Sequence, residues 1–572
     1  MMPADERAET GRSAVGPAPV SGAPDASPES AATTATAATA ASGLTGVTSG
    51  SFGQALVAGL RAAGEREVLV RGTRRLTGEQ VYAAAQALAA RLADEGVTSG
   101  DTVACLYGPH PESPVSRVAA YLLDCRYVYL LSRMRPDAVE TVVRTFRPSV
   151  LMVDPSRRRQ AAALRSAGLA PHCLRLDPGL STARPTGWAA AASARRPHGA
   201  PDRIASVVFS SGTTGPPKPI AYSNRSELAQ FATAQAVYGT SRWRFLVPPG
   251  PFVPTLMAQW AMATGGTAVL PEQDDAASWV ALIRRERVRQ CAVGLPPDLF
   301  AFADHLAATG GGLGDLEVLV YGGASIAPAR MAPIARRLSG VLRQIYGTTE
   351  AALIATLGPP EHRREELLGS VGRPAPGTEV KVCDADGAPL PPGRVGHLWV
   401  RSAQNMDGYV DARTGALVMP DPPLALAEAD VSAQADTGAP PDAAPRPRPG
   451  WLPTGDAASL DRDGHLFLAG RLSDRLPSGA YPQPIENSLC EHPAVAEAAV
   501  HALSDGTTAV VVVPRPGHAI DLDALRAHLD ASHPPETQPR HLRLADALPR
   551  TPTGKLDRRE VAERFAVPAS SE

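Results

Sequence analysis

From about residue 51 onward, short apolar runs alternate with helix-patterned stretches, and that alternation leaves few architectures open. SVVFS at Ser206 to Ser210, TAVLP at Thr267 to Pro271 and EVLVYGG at Glu317 to Gly323 have strand length and are bounded by Gly or Pro, the pattern of buried strands. GEQVYAAAQALAARLADEG and APARMAPIARRLSG carry apolar residues three and four apart, as helices packed on a sheet do. Strand and helix in alternation predict an α/β architecture with mostly parallel sheets. Beyond about residue 474 the texture shortens to AVAEAAVHAL, TTAVVVVP and DLDALRAHLD, which reads as a small α+β domain.

Two stretches fall outside this pattern. Residues 1–50 mix Ala, Thr, Ser, Gly and Pro, with too few large apolar groups to offset the entropy of ordering them. Residues from about 421 to 449 have the same character between structured segments. At 572 residues the chain exceeds the roughly 100 to 200 usual for one domain. We therefore expect a disordered tail over 1–50, a large domain over 51–471 with a disordered insertion at about 421–449, and a small domain over 474–567.

A formal net charge of −2 gives no basic excess that would suit nucleic acid or an anionic membrane. The opening MMPADERAETGR lacks the basic start and apolar run of a signal peptide, and no run approaches the roughly 20 apolar residues of a membrane span. Six cysteines lie scattered without C-x-x-C spacing, which indicates neither a disulfide framework nor a zinc site. The expectation is a reduced, soluble, cytoplasmic protein.

Residues 210 to 219 read SSGTTGPPKP, and Lys218 there is one of only three lysines, with Lys381 and Lys555, among 56 basic residues. A turn rich in hydroxyls and glycines can cradle phosphate oxygens with its backbone N–H groups, and Lys218 adds a point charge for the same anion. The Walker A spacing fails, because Gly212 and Gly215 are too close and Pro219 replaces the magnesium-binding hydroxyl residue. Taken alone, such a turn serves equally well as a surface loop.

Four more stretches bear on it. YGTTE at Tyr346 to Glu350 joins a ring, a glycine turn, two hydroxyls and a carboxylate; GSVGRPAPGTEVKV follows it; TGDAASLDRDGHLFLAGRLSD carries Asp456 and Arg471; PRTPTGKLDRR ends on Lys555. In this order they resemble the superfamily of adenylate-forming enzymes, which includes acyl-CoA synthetases, nonribosomal peptide synthetase adenylation domains and firefly luciferase. The resemblance covers nearly everything after about residue 51. Lysine usage agrees with it: in an arginine-rich chain two of three lysines fall on the glycine turns, where a compact ammonium is not replaceable by a planar guanidinium. Lys381 reads as a solvated strand residue.

The resemblance implies roles position by position. Ser210, Ser211, Gly212, Thr213, Thr214, Gly215 and Lys218 would hold the phosphates of ATP; Tyr346 would stack on adenine, with Gly347, Thr348 and Thr349 beside it. Glu350 would hold Mg²⁺, with Thr214 or Thr349 nearby. Asp456 would bind the ribose hydroxyls with help from Arg471, and Gly322, Gly323 and Ala324 would form a wall shared by adenine and acyl group. Lys555, on a mobile small domain, would bridge the attacking carboxylate and the α-phosphate. Phe252, Val253, Met257 and Gly323 would line an acyl pocket; neither an Asp nor a His stands near Phe252, which disfavours an α-amino acid and favours a small aryl or aliphatic acid. The acceptor would be CoA or a separate carrier protein, since no carrier segment follows Lys555.

The chain departs from the family pattern at the hinge, where Ser473 replaces an Asp or Lys and Pro477 replaces a basic residue, and again at Pro219 and at Leu452-Pro453. None of these removes a phosphate ligand. They leave two further readings open: an adenylating enzyme that passes its acid, carboxylic or not, to an amine or other small nucleophile, or a non-catalytic nucleotide-binding homologue. Retention of Lys218, Glu350, Asp456, Arg471 and Lys555 speaks against the last.

Overall fold

A computed structural model describes residues 50–566, apart from 132–133, 170–171, 178–198, 211–217, 240–241, 249–251, 412–413, 421–449, 504 and 552–554; for residues 252–254 and 536 it describes the backbone alone. The expected tail at 1–50 and insertion at 421–449 therefore lie almost wholly outside the described residues.

The alternation read from the sequence resolves into two large, mostly parallel sheets flanked by helices. In an eight-stranded sheet, Cys173–Arg175, Val150–Val153, Thr102–Leu106, Arg126–Leu130 and Ile204–Phe209 run parallel, and Pro219–Ser223, Gly408–Val410 and Leu417–Val418 close the order antiparallel. A nine-stranded sheet has at its centre Thr267–Val269, Arg244–Leu246, Gln290–Ala292, Val318–Gly322 and Leu342–Thr348, all parallel. The expected strands thus form at Ile204–Phe209, Thr267–Val269 and Val318–Gly322, and the expected helices at Gly78–Asp94 and Pro328–Leu338.

Local chemistry sets these limits. The helix Gly78–Asp94 opens on a capping box in which Gln80 and Thr77 exchange side-chain and backbone hydrogen bonds, satisfying donors that would otherwise be orphaned. It then buries Val81, Ala84, Ala85, Leu88 and Leu92 along one face. A Cβ on Gly59 would stand 2.3 Å from the Ala263 carbonyl oxygen, so only glycine lets the helices Phe52–Ala63 and Phe252–Ala263 approach this closely.

A four-stranded antiparallel sheet ends in the hairpin Leu452–Leu460 and Leu466–Arg471. Beyond it, a 3₁₀ turn over Leu472–Asp474 leads to the small α+β part, whose three-stranded sheet consists of Val495–Ala502, Thr508–Pro514 and His541–Leu544, with helices Pro482–Leu489, Leu522–Ser532 and Arg558–Arg564. The architecture is the expected one, a large N-terminal domain of mostly parallel sheets and a small C-terminal domain. All six cysteines are free. Among the described residues no helix is long and apolar enough to cross a membrane.

One expectation needs correcting. Lys381 is not simply solvated: its ammonium sits 4.3 Å from the centre of the Trp451 ring, with the Arg401 guanidinium 4.9 Å from the same centre. The indole face attracts the cations and covers their stems.

Candidate active site

The terminal hairpin of the four-stranded sheet sets Asp456 directly opposite Arg471. Arg471 Nε lies 3.1 Å from Asp456 Oδ1, and the Tyr346 hydroxyl donates to Oδ2 at 2.5 Å. Asp456 is buried, which raises its pKa above the ordinary carboxylate value; Arg471, Tyr346 and Lys555 oppose that rise without cancelling it. The three neighbours offset part of the desolvation that disfavours the charge of a buried carboxylate.

Tyr346 belongs to the strand Leu342–Thr348, which turns through Thr349 and Glu350 into the antiparallel strand Ala352–Leu357. The turn is tight. A Cβ on Gly347 would lie 1.8 Å from the Ala352 carbonyl oxygen, Ala352 itself adopts φ +54°, and Thr348 Oγ1 accepts from the Ala351 N–H at 3.1 Å. This geometry delivers Glu350, half-buried, at the tip. Its backbone carbonyl accepts from Met406 N–H at 2.7 Å, and its Oε1 accepts from the Tyr409 hydroxyl at 3.1 Å. The Thr349 carbonyl accepts from the buried Tyr222 hydroxyl.

Lys218 and Ser210 close the base of the hydroxyl-rich loop. Ser210 N–H donates to the Lys218 carbonyl at 3.1 Å, and Lys218 N–H donates to Ser210 Oγ at 3.0 Å. Ser211, Gly212, Thr213, Thr214 and Gly215 lie outside the described residues. The exposed Lys218 ammonium stands 5.3 Å from the centre of the Tyr409 ring, so Tyr409 touches both Lys218 and Glu350. Sequence reasoning missed this tyrosine, because a lone aromatic beside a glycine in NMDGYV carries no cluster of hydroxyls or charges.

From the small domain, Lys555 enters the same group. Its turn is closed by Thr551 N–H to the Lys555 carbonyl at 2.8 Å and by Lys555 N–H to Thr551 Oγ1 at 3.2 Å. Burial and the Arg471 guanidinium hold its pKa below the ordinary lysine value, against the pull of Asp456 and Glu350. Three residues on, Arg558 grips Glu486 with both terminal nitrogens at 2.6 and 2.8 Å and reaches Asp474 at 3.3 Å. That links the lysine turn to the segment between the domains. Ser325 Oγ to Gln483 Oε1 at 2.8 Å and Arg330 Nη1 to the Ala496 carbonyl at 2.7 Å tie the large domain to the small one.

Gly322 ends the strand Val318–Gly322, where a Cβ would stand 2.4 Å from the Ile345 carbonyl oxygen; Gly323 adopts φ +76°, and a Cβ there would stand 3.0 Å from Leu295 Cδ2. Gly323 and Ala324 are exposed. Phe252 and Val253 start the helix Phe252–Ala263, with side chains outside the described residues. Met257 is fully buried in the main hydrophobic core, on a helix that is apolar nearly all round.

Comparison with known proteins fits this geometry. Residues 58–410 match the family model described as AMP-binding enzyme, and residues 484–555 match the AMP-binding enzyme C-terminal domain. A feruloyl-CoA synthase of Amycolatopsis sp is 29% identical over 505 residues, spanning 85% of this chain and 94% of the relative. A medium/long-chain-fatty-acid–CoA ligase of Mycobacterium tuberculosis is 28% identical over 388 residues, and the match spans only 62% of that relative. The structure of the amide bond synthetase McbA from Marinactinospora thermotolerans superposes with a TM-score of 0.77 at 32% identity, covering 90% of this chain and 100% of that one. With both family models matched in order, the chain belongs to the AMP-binding enzyme family, the adenylate-forming ligases that activate an acid as its AMP derivative.

Proposed function

We propose that this protein uses ATP to convert a small aryl or aliphatic carboxylic acid into its acyl-adenylate, releasing pyrophosphate, and then passes the acyl group to a thiol, that of CoA or of a separate carrier protein. The observation that carries the reading is the entry of Lys555 from the small domain into the group formed by Asp456, Arg471 and Glu350. We assign the large domain to 51–471 and the small one to 474–567. The free cysteines suit a reduced, cytoplasmic setting.

The chemistry is a displacement at phosphorus. A carboxylate oxygen bonds to the α-phosphorus as the bond to the bridging oxygen breaks and pyrophosphate leaves. No proton moves, because the nucleophile is already ionised. What must be overcome is repulsion between two anions, and fixed positive charge in a partly desolvated site does that. Lys555 lies between carboxylate and α-phosphate; Lys218 and the loop from Ser210 hold the departing phosphates. Asp456 accepts from the ribose hydroxyls with Arg471 steadying it, Tyr346 lies along the adenine, and Gly322, Gly323 and Ala324 bound the space where adenine and acyl group meet. Mg²⁺ would supply charge at the phosphates when bound. Glu350 fits it: a carboxylate is a hard oxygen ligand, and Tyr409 occupies only one of its two oxygens.

A second reading, transfer to an amine, draws on the end-to-end likeness to an amide bond synthetase and on Ser473 and Pro477 at the hinge. Incubation with ATP, Mg²⁺ and a panel of aryl, short-chain and amino acids, with hydroxylamine as trap, tests both. An acid-dependent hydroxamate supports adenylation; product formed only with CoA or carrier protein supports the thiol, and amide formed with amine alone supports the second reading. No hydroxamate from any acid, with ATP bound, contradicts both.

A further inference from the structure

Tyr409 contacts an anion through its hydroxyl and a cation through its ring. Its hydroxyl donates to Glu350 Oε1 at 3.1 Å, and its ring faces the Lys218 ammonium with 5.3 Å between nitrogen and ring centre. The strand that carries it, Gly408–Val410, pairs with Pro219–Ser223, placing Tyr409 opposite Ile220, two residues from Lys218. The loop before it is pinned on both sides. Met406 N–H donates to the Glu350 carbonyl, and Asp407 Oδ2 accepts from Ser223 N–H at 2.6 Å and Ser226 Oγ at 2.8 Å. The ring is thus held from the eight-stranded sheet while its hydroxyl reaches a residue on the turn at the edge of the nine-stranded one.

Building on the function proposed above, we infer that Tyr409 is a positioning residue that keeps Lys218 and Glu350 apart and aimed, the first at phosphate oxygens and the second at the divalent cation. A tyrosine suits this because it engages each partner without neutralising it. The ring quadrupole attracts an ammonium yet leaves its three N–H donors free. A phenol donates one hydrogen bond to a carboxylate and cancels none of its charge, where a lysine or arginine in its place would.

Two variants separate the contacts. Tyr409→Phe keeps the ring and loses the donor. The Mg²⁺ concentration for half-maximal ATP–pyrophosphate exchange should rise about tenfold, as expected for losing a hydrogen bond to a charged group, while kcat at saturating Mg²⁺ stays near that of the parent. Calorimetric titration of ATP should show the loss with Mg²⁺ present and none without it. Tyr409→Leu loses the ring as well, and the KM for pyrophosphate should also rise several-fold. Unchanged Mg²⁺ and pyrophosphate dependence in both variants, or a uniform fall in kcat alone, would overturn the assignment. Since the phenylalanine variant is conservative, it decides the question even if the leucine variant fails to fold. Absence of Mg²⁺-dependent ATP binding by the parent protein would instead refute the underlying function.

Discussion

Arg471 stands directly opposite Asp456 across one antiparallel pair, with Nε 3.1 Å from Oδ1, while Tyr346 holds the other carboxylate oxygen. Arg471 is the larger of the charges that offset the burial of Asp456. Arg471→Ala should therefore raise the Asp456 pKa further. With Asp456 in its proposed role at the ribose hydroxyls, ATP affinity should fall as pH drops through that pKa, and the fall should begin at higher pH in the variant. Calorimetric titration of ATP between about pH 4 and 7 checks this; identical profiles would contradict the pairing.

Lys555 has a pKa below the usual lysine value. Its charge, and with it adenylation, should be lost as pH rises through a value lower than 10.5. The pH profile of pyrophosphate exchange should show that alkaline limb. Lys555→Arg should flatten it, since a guanidinium stays charged, but at a lower rate because the planar fork does not fit.

Away from the site, Arg117 and Glu227 form an ion pair with 0% and 5% side-chain exposure. Tyr121 and Ser206 each donate to Glu227 at 2.5 Å, and Arg117 Nη1 donates to the Ala205 carbonyl at 2.8 Å. Glu227→Ala strands a buried guanidinium and should cost about 3–5 kcal/mol, read from urea unfolding. Replacing both residues by apolar ones of similar volume should recover most of that loss.

Gly347→Ala places a methyl group against the Ala352 carbonyl, a rigid backbone atom. The strand pair must shift, at a cost of about 1–3 kcal/mol, and Glu350 shifts with it. Both the unfolding midpoint and the exchange rate should fall; an unchanged midpoint would contradict the close approach.

How far these features could be read in advance depended on whether chemistry was concentrated in sequence. Asp456, Arg471, Tyr346, Glu350 and Lys555 sit in short runs of hydroxyl, glycine and charge, and the rarity of lysine pointed at Lys218 and Lys555. Tyr409 was invisible because its two partners arrive from separate strands and turns. Lys381 was misjudged for a similar reason: Trp451, the ring it covers, lies 70 positions along the chain. Met257 lies in a helix whose polar residues are too few to mark an outward face, so only packing reveals that it points inward. The Arg117–Glu227 pair spans 110 positions and leaves no local pattern.

The most direct test of the central claim is the exchange of labelled pyrophosphate into ATP, measured with and without added carboxylic acids in the parent protein and in Lys555→Ala. The account predicts exchange that depends on the acid and falls by about 100-fold or more in the variant while ATP binding persists. Exchange without any acid, no exchange with any acid although ATP binds, or full exchange in Lys555→Ala would contradict it.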